Sequence, residues 1–426
     1  MKETLISILS CPVCRGSLTR NHKDSHDNDE PHGKLVCEKC AATYSVKQDL
    51  PRLYLDDDGI IERSGHSKHS EYVLDRNRID VLVRTTRKRT KKPSLGFFYK
   101  RVSILAIIGW ILLAVSGLLI IAGPIGLGTF AGYRLSIAVL ILIAAILFVA
   151  DFEHYRKIAR KTYEYQVHRL AQLSRSSVLS EFDIHQKRQS KSEMDFDISE
   201  DQRKAEEIAR RLDKYGSGGG RGLNVGCGGE QHQLISIPFF DRDYDMIGLD
   251  VCEDYVLEYC KLFQASAVQA NAMALPFAND SFDIVNFCDV LEHLHHPFLG
   301  LCEVSRVLKA GGLVILSTNC RCRLSRECAN PLILLERLIS VYFDGVLGPR
   351  DMLRRFDDME FYHLNFSKRE IVELLESSGF EVLEFYTYFS KRRILTKVFS
   401  RVPLLRFMGD AIVVTCRKRI RSAVRS

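Results

Sequence analysis

The alternation of hydrophobic and polar positions divides the chain into blocks of different character. From Ser103 to Ala122 no residue is charged, and Leu135 to Ala150 forms a second uncharged run closed by Asp151. About 20 apolar residues suffice to cross a bilayer core as a helix. Gly123-Pro124-Ile125-Gly126-Leu127-Gly128 breaks the pattern between the runs, so the prediction is a helical hairpin over 101–152, with spans at about 103–122 and 133–150. Tyr133 and Tyr155 flank the second run, where interfacial aromatic anchors belong. The alternative is a hairpin buried in a soluble core.

After the hairpin, residues 153–197 read as a charged helical linker whose Ser- and Lys-rich part, 174–195, is a candidate tether. Ser199 with Gln202 three residues on reads as a capping box for a helix running to Tyr215. The pattern then changes to short apolar runs punctuated by glycine. Leu223-Asn224-Val225 feeds Gly226-Cys227-Gly228-Gly229, and Met246-Ile247-Gly248-Leu249 ends in Asp250 about 20 residues later. That arrangement is expected of a nucleotide-type ligand at the carboxyl edge of a parallel sheet. The glycines let backbone approach a ligand, and Asp250 can accept from both hydroxyls of a ribose. A tight strand-to-helix turn is the plainer alternative. Gln231 stands where a dinucleotide fingerprint needs its third glycine, which argues against a bound pyrophosphate.

The N-terminal block, 1–54, contains Cys11-Pro12-Val13-Cys14 and Cys37-Glu38-Lys39-Cys40, two CxxC knuckles separated by a polar loop. Four thiolates so spaced suit tetrahedral Zn²⁺ and can fold a segment too small for its own core. Redox disulfides are the alternative. His22, His26 and His32 in the loop read as solvated. The remaining cysteines among the chain's 13 are mostly scattered singly through apolar segments, the usual setting of small buried hydrophobes.

Charge refines the picture through its placement. The net charge is +7 over 426 residues, concentrated at 84–101, 154–161 and 415–425. Residues 55–100 form a polar and basic linker. A nucleic-acid role for its basic run is disfavoured by the apolar spans that follow. Cations precede the first span and follow the second, so the positive-inside rule places both ends in the cytoplasm. Ribbon and C-terminal domain then share the reducing side, in agreement with thiolate-bound zinc. The chain is thus expected to be a two-span integral membrane protein with both terminal domains cytoplasmic. No cleavable signal peptide is expected at Met1–Ser10.

Further motifs extend the glycine loop: Asn271-Ala272-Met273-Ala274-Leu275-Pro276-Phe277, Asp280-Ser281-Phe282-Asp283-Ile284-Val285, Val290-Leu291-Glu292-His293-Leu294, and Glu303 through Ser317 with Gly311-Gly312. In this order, residues 221–317 resemble the class I S-adenosylmethionine-dependent methyltransferases, specifically the type 11 small-molecule group. The N-terminal knuckles, with Leu18, Thr43-Tyr44-Ser45-Val46 and Leu50-Pro51-Arg52-Leu53, resemble the zinc-ribbon proteins that activate methyltransferases. The resemblances imply an α/β, Rossmann-like class I methyltransferase domain over 198–426 joined to a zinc ribbon.

The same resemblance implies site roles. Gly226 and Gly228 face the methionine end of S-adenosylmethionine, Asp250 takes the ribose, and Asn271 and Ala272 take the adenine. Asn224 and Asp289 complete the expected cofactor set. Asn224 replaces a more usual acid, Glu230 a more usual glycine and Asn271 a more usual aspartate. Asp283 is expected to be structural, while Asp289, Glu292 and His293 fall at the ligand edge. His293 is the first candidate for a general base, needed only if the acceptor keeps its proton. His363, before the helix 368–378, is the second. Glu381–Phe385 and Ala411–Thr415 are expected as the final antiparallel pair.

Three stretches stand outside this pattern. Cys320, Cys322 and Cys328 read as buried or solvated thiols rather than a metal cluster. Leu332 to Leu347 is apolar enough for a lid or a membrane-contacting helix. Ile394, Leu395, Val398, Phe399 and Val402 share a helical face amid cations, which suits an anionic membrane surface or docking on the sheet.

The expectation is therefore a membrane-anchored methyltransferase using S-adenosylmethionine, with Zn²⁺ at Cys11, Cys14, Cys37 and Cys40. Its partners are the bilayer and a membrane-held acceptor: a lipid, a quinone precursor, a lipid-linked intermediate or a membrane protein. The rivals are a methyltransferase of tRNA or a translation factor, and a non-catalytic scaffold that kept the fold.

Overall fold

The computed structural model describes residues 3–21, 33–55, 104–122, 130–173, 198–228, 230–320, 330–342, 364–389, 401–402 and 409–420. The chain divides into two compact units, one of residues 1–80, 170–321 and 356–426, the other of 81–169 and 322–355.

In the first unit, helix α1 (Glu3–Ile6) leads into four short strands, β1 (Leu18–Asn21), β2 (Gly33–Cys37), β3 (Thr43–Lys47) and β4 (Leu50–Pro51), paired antiparallel in chain order. Period-two alternation buries Leu35 and Cys37 of β2 and Tyr44 and Val46 of β3 on one face.

The larger part is a seven-stranded sheet: β5 (Arg221–Val225), β6 (Asp245–Asp250), β7 (Ala267–Gln269), β8 (Phe282–Cys288), β9 (Leu308–Asn319), β10 (Phe380–Tyr388) and β11 (Ala411–Lys418). The spatial order is β10-β11-β9-β8-β5-β6-β7. β7, β6, β5, β8 and β9 run parallel, and β11 and β10 are antiparallel, as the sequence led us to expect of the last two strands. Parallel strands are covered on both faces, which explains the near-continuous apolar runs of β8 and β9. The connecting helices are α4 (Ile198–Tyr215), α5 (Ile237–Phe240), α6 (Glu253–Phe263), α7 (Pro297–Val307) and α9 (Lys368–Ser377). One core packs Ile208 and Leu212 of α4 against Met246, Ile284, Ile315 and Val413. A second packs Val256 and Tyr259 of α6 against Cys227, Ala267 and Leu50 of the N-terminal module, so that module contributes to the core of the large sheet.

One local expectation is adjusted and another holds. Ser199 lies inside α4, which already begins at Ile198, so it does not stand at the cap position. Asp283 is structural as expected: its carboxylate accepts from the Arg221 backbone N–H at 2.9 Å and from Lys309 Nζ at 2.8 Å.

The second unit contains helices α2 (Ile104–Ala122), α3 (Phe130–Leu173, running into the first unit) and α8 (Pro331–Tyr342). The second apolar run and the charged stretch after it are one helix rather than a span followed by a separate linker helix. No proline interrupts Phe130–Leu173 and its single glycine is Gly132, so nothing ends the helix at Asp151. Ile104–Ile121 and Arg134–Lys157 are both long and apolar enough to cross a membrane. Their large side chains point outward: Leu118 and Leu135 are each 66% exposed and Ile121 76%.

Candidate functional site

The order of the parallel strands reverses between β5 and β8, the switch point at which ligands bind in open α/β sheets. β5 delivers Gly226 there with φ +66°, and a Cβ at that position would lie 2.3 Å from Val290 Cγ2. Only glycine combines that left-handed backbone with so close a neighbour. Gly228 also has positive φ, and its N–H donates to Asp250 at 3.1 Å. The other carboxylate oxygen of Asp250 accepts from the Cys252 N–H at 2.9 Å. Asp250 is thereby buried at the end of β6 beside the glycine turn.

After β7, Asn271 folds the chain back: its side-chain oxygen accepts from the Met273 N–H at 3.0 Å and its backbone oxygen from the Ala274 N–H at 2.9 Å. Ala272 and Met273 are buried in this turn. The Asn271 amide donates to the carbonyl of Leu55 at 3.2 Å. The N-terminal module thus reaches the loop expected to hold the adenine.

Further bonds brace that loop. Leu53 N–H donates to Gln269 O at 2.8 Å, Ser10 N–H to Pro276 O at 3.0 Å, and Ala278 N–H to Ile8 O at 2.8 Å. Arg15, immediately after the first knuckle, donates to Leu275 O at 2.8 Å and pairs with Glu303 at 2.8 Å. Arg306 donates to the same carbonyl at 2.8 Å and to Phe277 O at 2.7 Å. Arg52 pairs with Glu253 on α6. Most of these contacts use backbone atoms, so no residue type in the sequence announces them.

Asn224 is engaged within the sheet. Its amide donates to Ser236 Oγ at 2.8 Å and its oxygen accepts from Asn286, its register partner on β8, at 2.8 Å. Asp289 has φ +56°, pairs with Lys204 of α4 and accepts from Ser317 Oγ at 2.8 Å. Burial alone would lower the ammonium of Lys204, but Asp289, with Tyr388 and Asp201, holds it well above its ordinary value.

Glu292 is the residue that the sequence undervalued. It is 2% exposed and accepts from Thr318 Oγ1 at 2.8 Å. Burial, reinforced by the charge of Asp289, pushes its carboxyl up to about 8. Its backbone oxygen accepts from the Leu364 N–H at 2.8 Å, tying the segment after His363 to this edge. Its position beside His293 was visible, but its burial depends on Thr318 and Leu364, both distant in sequence. His293 ends a single 3₁₀ turn, Leu291–His293, and is partly exposed. His363, Cys322, Cys328, the side chain of Glu230 and most of the basic amphipathic stretch lie outside the described residues.

In the N-terminal module, one sulfur from each of Cys11, Cys14, Cys37 and Cys40 lies within 4.8 Å of the others. The Cys11–Cys40 and Cys14–Cys37 separations are 3.7 and 3.3 Å. A tetrahedron with Zn–S bonds of about 2.3 Å puts sulfurs about 3.8 Å apart, so this donor set fits zinc. Burial would raise the Cys37 thiol, yet N–H groups of Cys40 and Lys39 and the neighbouring thiols bring it down to about 6, while, against the N–H of Ala42, the same thiol contacts push Cys40 up to about 12, so Cys37 is the first of the pair to give the thiolate that metal binding requires.

Residues 223–316 match the family model described as a methyltransferase domain, and residues 2–49 match that of Trm112p-like proteins. The chain joins a Trm112p-like domain to a class I methyltransferase domain. The O-methyltransferase resE of Aspergillus sclerotiorum is 30% identical over 193 residues, covering 43% of this chain and 62% of its own length. An uncharacterized methyltransferase of Mycobacterium tuberculosis is 52% identical over 50 residues, 12% of this chain and 20% of that protein. The chain therefore spans less than two thirds of the length of these curated relatives. A solved complex between the Haloferax volcanii Trm112 methyltransferase activator and a methyltransferase aligns at 17% identity and TM-score 0.38, over 58% of this chain and 99% of that one.

Proposed function

We propose that this protein is a membrane-anchored, S-adenosylmethionine-dependent methyltransferase whose acceptor is held at the cytoplasmic face of the same membrane. The observation that carries the anchoring is the pair of apolar helical stretches, Ile104–Ile121 and Arg134–Lys157, with only 17% of each buried. A soluble core helix would hide such a surface, because exposed contiguous apolar area is costly in water.

S-adenosylmethionine supplies a methyl group activated by an adjacent sulfonium. Around it, Gly226 and Gly228 leave room for close backbone approach, and Asp250, at the end of β6, takes the ribose hydroxyls. Asn271 and Ala272 line the adenine side, braced by Leu53 and Leu55 in the segment that follows the Trm112p-like match. Asn224 serves by locking β5 to β8 behind the glycine turn. Asp289, held by Lys204 and Ser317, keeps the β8 edge in place. Glu292, protonated near neutral pH, ties the turn carrying His293 to β9. His293, or His363, takes a proton from the acceptor if the attacking atom carries one; otherwise alignment and exclusion of water suffice.

Zinc at Cys11, Cys14, Cys37 and Cys40 would hold the loop that presents Ser10 and Arg15 to residues 275–278. This role is structural, since the thiolates occupy all four positions of a closed site.

A second reading has its own support. The Trm112p-like domain fits a methyltransferase of tRNA or of a translation factor, although such an acceptor does not call for two apolar spans. Comparison of lipid extracts from cells with and without the gene separates the readings. Loss of a methylated lipid supports a lipid acceptor; unchanged lipids with a lost methyl mark on tRNA or a translation factor overturn it.

A further inference from the structure

Helix α8 belongs to the second unit, although its sequence lies between β9 and α9 of the methyltransferase domain. Asn330 immediately precedes it and is fully buried. The Asn330 oxygen accepts from the Leu332 N–H at 2.9 Å, capping the helix. Its amide donates to the Asp151 carboxylate at 2.7 Å and to the Phe148 carbonyl at 3.0 Å. One side chain therefore fixes the start of α8 to α3. Leu332 then packs on a cluster of Ala106, Ala144 and Phe148, joined by Leu112 and Leu113.

That contact defines a level along the hairpin. Ala106 stands two residues after Ile104, where α2 begins, and Asp151 closes the apolar part of α3. Lys100 and Arg101 lie just before the first helix, and Arg156, Lys157, Arg160 and Lys161 follow the uncharged run that Asp151 closes. Cations in these places mark the cytoplasmic boundary. α8 thus starts at that boundary, against the ends of both spans.

Two large apolar side chains of α8 are exposed. Leu335 is 53% exposed and Ile339 38%, and these two stand one turn apart on the same helical face. At 12 residues α8 is too short to cross a bilayer, and its sequence carries Glu336 and Arg337. A short helix with exposed Leu335 and Ile339 on one face, starting at the lipid–water boundary, has the character of an interfacial helix.

We propose that α8 is a third membrane element: a helix lying in the cytoplasmic lipid interface, locked to the hairpin through Asn330 and Asp151, with Leu335 and Ile339 among the acyl chains. It rests on the membrane reading of the hairpin. The consequence is that the methyltransferase domain carries its own lipid contact, inserted between its fifth and sixth strands.

The test uses the full chain in vesicles of phosphatidylcholine and phosphatidylglycerol. An environment-sensitive fluorescent amino acid replaces Leu335, Ile111 or Lys34 in separate variants, and vesicle lipids carry bromine at shallow or deep acyl positions; Ile111 is exposed near the middle of the first span. Leu335 is expected to be quenched at least two-fold more by shallow than by deep bromines, Ile111 to be quenched strongly by deep ones, and Lys34 to be unaffected. Quenching at Ile111 but not at Leu335 overturns the proposal and leaves the anchor intact. Quenching at neither overturns the anchor too. Asn330→Ala should at least halve the quenching at Leu335 while sparing Ile111; unchanged quenching at Leu335 overturns the lock.

Discussion

Replacing Glu292 by glutamine tests the electrostatics of the ligand edge. With its carboxyl pushed from 4.5 to about 8 by burial and by Asp289, Glu292 holds a proton in the folded protein while the unfolded chain ionises. Below about pH 4.5 both states are protonated and the site costs nothing. As pH rises, the unfolded state loses its proton first, so this stability contribution shrinks until the folded carboxyl ionises near 8. The slope is about 1.4 kcal/mol per pH unit, hence roughly 2.7 kcal/mol between pH 6 and 8 at most. Relaxation around the buried carboxylate reduces this to about 1–2 kcal/mol. Glutamine is neutral throughout and retains an oxygen for the Thr318 hydroxyl. Glu292→Gln should therefore match the wild type more closely at pH 6 and exceed it at pH 8.5, by a few degrees in apparent Tm. Thermal unfolding of both proteins in the same micelles, at matched pH, reads this directly. A gap independent of pH, or one that widens toward acid, refutes the assignment of a raised carboxyl.

Two further substitutions probe the sites. Asp250→Ala removes the acceptor proposed for two ribose hydroxyls, worth about 1.5–3 kcal/mol for a charged hydrogen bond, or roughly a ten- to hundred-fold loss of S-adenosylmethionine affinity by calorimetry; wild-type affinity would show that the ribose is held elsewhere. Cys37→Ser should abolish stoichiometric zinc, measured by elemental analysis of the full chain. It should also weaken S-adenosylmethionine binding, because Ser10, Arg15, Leu53 and Leu55 brace residues 269–278; metal loss with unchanged affinity would mean that the brace is not needed.

How much was legible in the sequence depended on the physical origin of each feature. The β5–Gly226 turn and Asp250 were readable because buried parallel strands need continuous apolar runs and the turn needs φ values that glycine tolerates. The four cysteines were readable because metal ligation demands a residue type at a spacing. Asn224 was harder: its partner Asn286 lies on a neighbouring strand, and pairing them requires the sheet register. Asp289 likewise meets Lys204, 85 positions earlier. The brace between the Trm112p-like domain and the adenine-side loop is carried largely by backbone groups, which every residue possesses. The continuity of α3 was hidden by a change of hydropathy at Asp151, which alters the surroundings of a helix without ending it.

The central claim is that the acceptor resides in the membrane. Membranes from cells lacking the gene, given the purified full chain and S-adenosylmethionine labelled at the methyl group, test it most directly. After extraction, the label should move into the organic phase with the wild-type protein and not with Asp250→Ala, and added tRNA should not draw it away. Label recovered in RNA or in soluble protein, with none in the lipid or membrane-protein fractions, would contradict the account.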